Sequence, residues 1–208
     1  MNGYKADWSH QKNIEGIIQS YKLKYTQKLW DTLLPILKIR TSMSLLDIGC
    51  GPGQFLSDIH INFPKAILTG LDEKEEMLSY AQQGVPEGTF IQANFTPEFL
   101  QHHNKKYDVV FMGYMFHELE NPLKIVQETK SKILNPGGFV IIYDFIFSPL
   151  ADYIEFNSDR RTKEEAIKKF PKPAKYSLDD LEFLFTDNGY EIVLKKRITK
   201  VSGLFIAR

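Results

Sequence analysis

The sequence predicts an α/β protein with a doubly wound, seven-stranded, mostly parallel sheet, helices on both faces and a C-terminal antiparallel hairpin. Three observations lead to this fold class. A glycine-rich turn directly follows an apolar segment, five strand-like segments alternate with helical patterns, and two adjacent strand-like segments end the chain. Strands separated by helices join a sheet in parallel through right-handed crossovers. Two strands joined by a short turn must instead be antiparallel.

The elements follow in order along the chain. Strands are predicted from apolar, β-branched and aromatic composition at residues 43–48, 66–71, 89–93, 107–112, 139–145, 190–198 and 203–207. Helices are predicted from their periodicity and capping residues over residues 13–39, 74–83, 163–169 and 177–188. Two more are predicted to begin at residues 54 and 121, and a short one to end at residue 99. Pro35 is expected to bend or break the first helix. The sequence N-P-G-G at 135–138 predicts a turn before the fifth strand.

Composition sets limits on the class of protein. The 208 residues predict a single domain, with a helical N-terminal cap (1–40), an α/β core (43–145), a lid insertion (146–176) and a final helix and hairpin (177–208). Basic and acidic residues are equal in number, 26 each, which does not favour nucleic acid as a partner. A single cysteine and a start without an apolar core predict a cytoplasmic protein. No membrane contact and no metal site are expected, and the oligomeric state stays open.

The glycine-rich turn carries the strongest functional signal. Residues 44–53 read S-L-L-D-I-G-C-G-P-G, with Asp47 at the end of the strand and glycines at 49, 51 and 53. Glycines allow a tight turn that a ligand can approach closely, and the helix that follows directs its first N–H groups at that ligand. Gln54 occupies the position of the third glycine in the dinucleotide fingerprint G-x-G-x-x-G. The Asp47 carboxylate would repel a diphosphate and attract an ammonium or sulfonium cation.

This turn resembles motif I of the class I S-adenosylmethionine (SAM) dependent methyltransferases, usually written L-D-x-G-x-G-x-G. The resemblance extends over about residues 43–208, in order and without gaps, and includes the terminal hairpin typical of that family. It implies a Rossmann-like fold, S-adenosyl-L-methionine as the cofactor, and cofactor contacts from Asp47, Gly49, Gly51 and Gly53.

Further cofactor residues are expected where later strands end. Asp72 ends the second strand about 20 residues beyond the turn, and a carboxylate there can accept hydrogen bonds from both ribose hydroxyls. The alternative role for Asp72 is a cap of the next helix. The resemblance also implies that Asn94 and Phe95 contact adenine, although many relatives carry an aspartate where this chain has Asn94. The backbone of Gly113 is expected to accept a hydrogen bond from the ammonium group of the cofactor.

The sequence signals for the residues around the methyl acceptor are less specific than those for the cofactor. The segment after the fourth strand reads G-Y-M-F-H-E-L, and it resembles the segment of hydroxyl-directed methyltransferases that contains a basic histidine. His117 is therefore a candidate catalytic base, and the alternative is a structural histidine without a catalytic role. Aromatic and apolar residues expected in the substrate pocket are Tyr4, Trp8, Tyr21, Tyr114, Met115 and Phe147.

The resulting hypothesis is a SAM-dependent methyltransferase for a small-molecule acceptor, with oxygen slightly favoured. Methylation of an exocyclic base nitrogen normally goes with N/D-P-P-Y/F/W after the fourth strand, which this chain lacks. The basic residues of the 146–176 insertion leave an anionic, RNA or protein acceptor open. A non-catalytic SAM-binding module is a further alternative. An NAD-dependent oxidoreductase is disfavoured by Asp47 and Gln54.

Overall fold

The computed structural model describes residues 11–39, 42–170 and 175–208. The chain divides into two compact units, with the boundary after Phe95. The predicted pocket residues Tyr4 and Trp8 lie outside the described residues. No helix within the described ranges is both long and apolar enough to cross a membrane.

The first unit alternates helices with three parallel strands. Strand β2 lies between β1 and β3, and residue 48 of β1 is level with residue 71 of β2. The elements are α1 (Gln11–Lys24), α2 (Gln27–Leu37), β1 (Ser44–Ile48), α3 (Gln54–Asn62), β2 (Ile67–Asp72), α4 (Glu75–Gly84) and β3 (Thr89–Gln92). Because β1 and β2 are parallel and end together, the residues that follow them share one end of this unit.

The predicted N-terminal helix is broken near Thr26 and not at Pro35. The chain leaves the helix after Lys24 and re-enters it at Gln27, where Thr26 has extended backbone angles. Pro35 lies inside the last turn of α2. Proline lacks the N–H that would donate to the carbonyl four residues earlier, but the helix continues past this lost hydrogen bond to Leu37.

The second unit contains the remaining strands, in the order β4, β5, β7, β6. Strand β5 is parallel to β4 and antiparallel to β7, and β7 is antiparallel to β6. The elements are α5 (Pro97–His102), β4 (Tyr107–Gly113), a 3₁₀ turn (Phe116–Glu118), α6 (Pro122–Glu128), a π-helical turn (Thr129–Ile133), β5 (Leu134–Phe145), α7 (Leu150–Asn157), α8 (Lys163–Lys169), α9 (Leu178–Thr186), β6 (Ile192–Arg197) and β7 (Ser202–Ala207).

The seven-stranded mixed sheet with an antiparallel C-terminal pair confirms the predicted fold class. The predicted capping box of Ser177 and Asp180 is present at the start of α9, and Asn121 caps α6. The predicted 135–138 turn lies instead within β5, as an irregularity in its pairing with β4, and Gly137 has a φ of 69°. Helix α7 has no counterpart in the sequence-based prediction.

Candidate active site

The glycine turn connects β1 to α3 and has the backbone that its sequence predicts. Gly49, Gly51 and Gly53 all have left-handed φ values, 70°, 52° and 80°. Glycine adopts this region without the penalty that a Cβ imposes. The Gly49 N–H donates to the carbonyl of Leu71 at 2.7 Å, which fixes the turn to the end of β2.

Two of these glycines differ in what a side chain would meet. A Cβ on Gly53 would lie 2.7 Å from the Cβ of Ala81 and 2.8 Å from its Cα, so the start of α3 and helix α4 are in close contact there. A Cβ on Gly51 would have no atom within 4 Å among the described residues. Gly53 is therefore required by packing, whereas the space beside Gly51 is open for a ligand to approach the backbone.

Asp72 joins the turn to the start of the next helix. One carboxylate oxygen accepts from the N–H of Gly51 at 2.9 Å, and the other accepts from the N–H of Lys74 at 3.0 Å. Burial raises the pKa of Asp72, while these two N–H donors act in the opposite direction. Each carboxylate oxygen keeps a second lone pair, so Asp72 can still accept from a hydroxyl. The predicted capping and ribose-binding roles are thus compatible in one side chain.

Asp47 is a second carboxylate next to the turn, and it is 3% exposed. Burial raises the pKa of Asp47 well above its ordinary value, and the negative charge of Asp72 raises it further. Within the described ranges, no Lys, Arg or His side chain forms an ion pair with Asp47. A bound cation would stabilise the charged form of both aspartates, whereas a diphosphate would add to the repulsion.

The other residues of the first unit that were predicted to line the site lie after β3 and on α1. Asn94 is exposed just after β3, and Phe95 beside it is 7% exposed. Tyr21 lies in a groove of about 430 Å³ that also includes Gln54, the first residue of α3. The Tyr21 hydroxyl donates to Asp58 at 2.7 Å, and its ring stacks on Tyr25 at 4.2 Å. This groove provides an aromatic wall within the first unit.

In the second unit, His117 forms a close pair with Asp144 at the end of β5. The Nδ1 atom of His117 lies 2.7 Å from Asp144 Oδ1, and the backbone N–H of His117 donates to Asp144 Oδ2 at 2.9 Å. Asp144 also accepts from the N–H of Phe145 at 2.7 Å. The other ring nitrogen of His117 lies 3.4 Å from a carboxylate oxygen of Glu118. The imidazole is therefore held in one orientation between two acids.

The charge of His117 follows from these neighbours. Burial lowers the pKa of His117, but the charge and hydrogen bond of Asp144, with a further contribution from Glu118, outweigh it and bring the pKa to about 9. The His117 side chain is 9% exposed and that of Asp144 4%. The folded protein therefore carries His117 as an imidazolium near neutral pH. An imidazolium already carries a proton on each ring nitrogen, so His117 can act as a base only in its neutral form.

Of the other residues predicted to line the acceptor pocket, Tyr114 contacts Phe145, whereas Phe147 is exposed. Tyr114 directly follows Gly113, has a φ of 54°, and contacts Phe145 edge to face at 4.8 Å. Met115 is half-buried. Phe147 is 64% exposed, so in this structure its ring contributes little to a closed pocket.

The sequence did not indicate two features of the second unit, Asp144 and the contact of the two arginines with Asn157, although Arg160 and Arg161 belong to the basic run of the 146–176 insertion. Asp144 ends a buried strand as Asp47 and Asp72 do, and this position could have indicated it. The pairing of Arg160 and Arg161 with the buried side chain of Asn157 could not be read from the sequence, because the basic run around it is typical of a solvated surface.

Comparison with protein families identifies the chain. A family model described as a methyltransferase domain matches residues 19–195, which is most of the sequence. The chain belongs to this methyltransferase family. This match confirms the predicted resemblance of the chain to the class I SAM-dependent methyltransferases, the family whose cofactor is SAM.

Curated relatives of this methyltransferase include enzymes named trans-aconitate 2-methyltransferase. The protein from Rhodopseudomonas palustris (strain BisA53) is 27% identical over 180 residues, covering 82% of this chain and 66% of its own. The protein from Yersinia pestis (strain Pestoides F) is 42% identical over 62 residues, which is 30% of this chain. The chain thus spans 24% of the length of the Yersinia relative and just under two thirds of the Rhodopseudomonas one.

Solved structures share the fold of this methyltransferase. The plantazolicin methyltransferase BpumL, solved in complex with SAH, has a TM-score of 0.72 at 21% identity, covering 95% of this chain and 88% of its own. A SAM-dependent methyltransferase from Aquifex aeolicus has a TM-score of 0.67 at 20% identity, covering 94% and 96%.

The residues of the first unit fit the cofactor of the family. The open space beside Gly51 permits close approach of a ligand, and the buried carboxylate of Asp47 with the half-buried one of Asp72 favours a cationic ligand. Asp72 has lone pairs left for hydroxyl donors.

Replacing Asp72 by alanine is expected to weaken SAM binding by about 1–3 kcal/mol, the scale of lost hydrogen bonds to a charged group. Asp72→Asn keeps an oxygen for the N–H of Gly51, so it separates loss of ligand contacts from loss of the turn. Glu76→Ala, an exposed position in the first turn of α4, is the control. Calorimetric titration with SAM measures the effect, and unchanged affinity in Asp72→Ala would exclude Asp72 from the site.

Proposed function

We propose that this methyltransferase transfers the methyl group of SAM to a small-molecule acceptor, with an oxygen atom favoured over nitrogen or carbon. The open glycine turn flanked by Asp47 and Asp72 is the observation that carries the proposal, because it suits a cationic methyl donor. The names of the relatives, which refer to trans-aconitate and plantazolicin, support a small-molecule acceptor. The His117–Asp144 pair favours oxygen, since a hydroxyl acceptor must lose a proton.

The proposal divides the work among residues of this chain. The acidic and glycine-rich positions bind and orient the cofactor, which supplies the electrophilic methyl group when bound. Those assigned to it are Asp47, Gly49, Gly51, Gly53, Asp72, Asn94, Phe95 and Gly113. Methyl transfer itself requires mainly alignment of the reacting atoms and exclusion of water. Tyr21, Tyr114 and Met115 are assigned to the acceptor side.

For a hydroxyl acceptor, bound SAM would supply the methyl group and leave as S-adenosylhomocysteine, and the acceptor oxygen would have to lose its proton. The hydroxyl proton passes to the imidazole of His117, whose orientation Asp144 fixes through Nδ1. Because the pKa of His117 is about 9, only a small fraction of the imidazole is neutral at pH 7. This route therefore becomes faster in alkaline solution.

The proposal is tested by transfer of a radiolabelled methyl group from SAM into a metabolite extract containing demethylated natural products. Label in small molecules supports it, label only in RNA or protein overturns the acceptor class, and no label with tight SAM binding indicates a non-catalytic module. Parallel titrations with SAM and NAD test the cofactor. Binding of NAD without binding of SAM would overturn the assignment.

A further inference from the structure

Two adjacent arginines lie between helices α7 and α8. Asn157, the last residue of α7, has 0% exposure, and its carbonyl accepts from the backbone N–H groups of Arg160 at 3.0 Å and Arg161 at 2.9 Å. The Asn157 amide donates to the carbonyl of Tyr153 at 2.8 Å, so its oxygen faces the two guanidinium groups. This turn fixes both arginine side chains on one side of a buried polar residue.

The two guanidinium groups share few acceptors. Arg161 donates to Asn157 Oδ1, and Arg160 donates to the same oxygen at 3.4 Å and to the carbonyl of Phe156 at 3.3 Å. The Nε atom of Arg160 is buried and donates to no acceptor in the described part of the chain. Neither arginine forms an ion pair with a carboxylate of any described residue. Buried donors of this kind are normally satisfied, which points to a ligand.

Nearby charges do not change this picture. Asp159 acts electrostatically on Arg160, and Glu165 on Arg161, but the Glu165 carboxylate already accepts from the N–H and hydroxyl of Thr162. Burial lowers the pKa of Arg160, and the positive charge of Arg161 lowers it further. Two like charges are thus held together without a direct ion pair to any described carboxylate, an arrangement that a bound anion would stabilise.

The arginine pair adjoins the candidate acceptor residues of the same unit. The Arg160 guanidinium lies 5.0 Å from the centre of the Phe156 ring, and that ring lies 6.0 Å from Phe145. Phe145 in turn contacts Tyr114 at 4.8 Å and His117 at 5.7 Å. Two packed aromatic rings, Phe156 and Phe145, therefore connect Arg160 to the cluster that contains the candidate base.

We propose that Arg160 and Arg161 bind a carboxylate of the methyl acceptor, which makes the substrate a small organic acid. The inference rests on the proposed function and specifies its substrate class. The planar guanidinium fork matches the two oxygens of a carboxylate, and two such groups can hold an anion that retains its charge during the reaction. A separate oxygen of the same molecule then accepts the methyl group.

The experiment is calorimetric titration of the protein, saturated with S-adenosylhomocysteine, with tricarballylate as the probe. Wild-type protein is expected to bind tricarballylate at millimolar concentration or below, and to bind its neutral triamide far more weakly. Arg160→Gln and Arg161→Gln are each expected to weaken binding about tenfold or more, the scale of a lost charged hydrogen bond. Lys168→Gln removes the same charge from an exposed position of α8 and should change binding less than about twofold.

Several results would overturn the proposal. These are equal binding of the acid and the amide, no binding of the acid by the wild type, and unchanged affinity in both arginine variants. Tighter binding of inorganic phosphate than of tricarballylate would replace the carboxylate with a phosphorylated acceptor. Affinity for S-adenosylhomocysteine in every variant shows that the fold is intact. Methyl transfer to neutral acceptors without acid binding would sustain the proposed function and remove only this site.

Discussion

Replacing Gly53 by alanine is expected to lower the free energy of unfolding by about 2–4 kcal/mol. The new Cβ would lie 2.7 Å from the Cβ of Ala81 and 2.8 Å from its Cα, and the latter is backbone that cannot rotate away. The φ of 80° adds the cost of a left-handed conformation for a residue with a side chain. Denaturant unfolding of the variant measures the effect, and unchanged stability would contradict the close contact between α3 and α4.

Gly51→Ala is the matched variant, and it should affect binding more than folding. Gly51 also has a left-handed φ, 52°, but its Cβ would meet no described atom within 4 Å. The expected stability loss is only the conformational cost, about 1–2 kcal/mol. The methyl group would occupy the space through which a ligand approaches the backbone, so SAM affinity should fall about tenfold or more. Wild-type affinity in Gly51→Ala would place the cofactor elsewhere.

The glycine turn was predictable because contiguous residues encode it. An apolar strand, three alternating glycines and the helical pattern after Gln54 specify the turn without any distant partner, and the backbone of Gly49, Gly51 and Gly53 agrees. The same holds for the capping box of Ser177 and Asp180, which spans one helical turn. Local chemistry determines these features, so a single sequence is sufficient to find them.

Features that depend on distant contacts were not predictable in the same way. The pairing of His117 with Asp144 joins residues that are 27 positions apart, and the register of β4 and β5 brings them together. The break between α1 and α2 was also not predicted. It lies near Thr26, whereas Pro35, the residue that the sequence favoured as the break, lies inside α2. The position of a proline within the helix decides its effect, and helix ends are poorly defined by sequence.

The His117–Asp144 pair is expected to make stability depend on pH. The folded pKa of His117, about 9, lies above its ordinary value of 6.5, so the pair stabilises the fold fully below pH 6.5 and loses this contribution as pH rises through 9. The loss is about 3 kcal/mol across that range. Unfolding free energies measured from pH 6 to 10 test it. In Asp144→Asn, which removes the charge but keeps the shape, this pH dependence should be much smaller.

The same pair gives a kinetic test that separates a base from a structural histidine. If neutral His117 takes the proton, the rate of methyl transfer should rise with pH up to about 9 and then level off. Asp144→Asn should shift that rise to lower pH, because the raised pKa depends on the Asp144 charge. His117→Ala should lose about 100-fold in rate with SAM affinity retained. A rate independent of pH, with the pH-dependent stability still present, would show that Asp144 and His117 form a structural ion pair that takes no part in proton transfer.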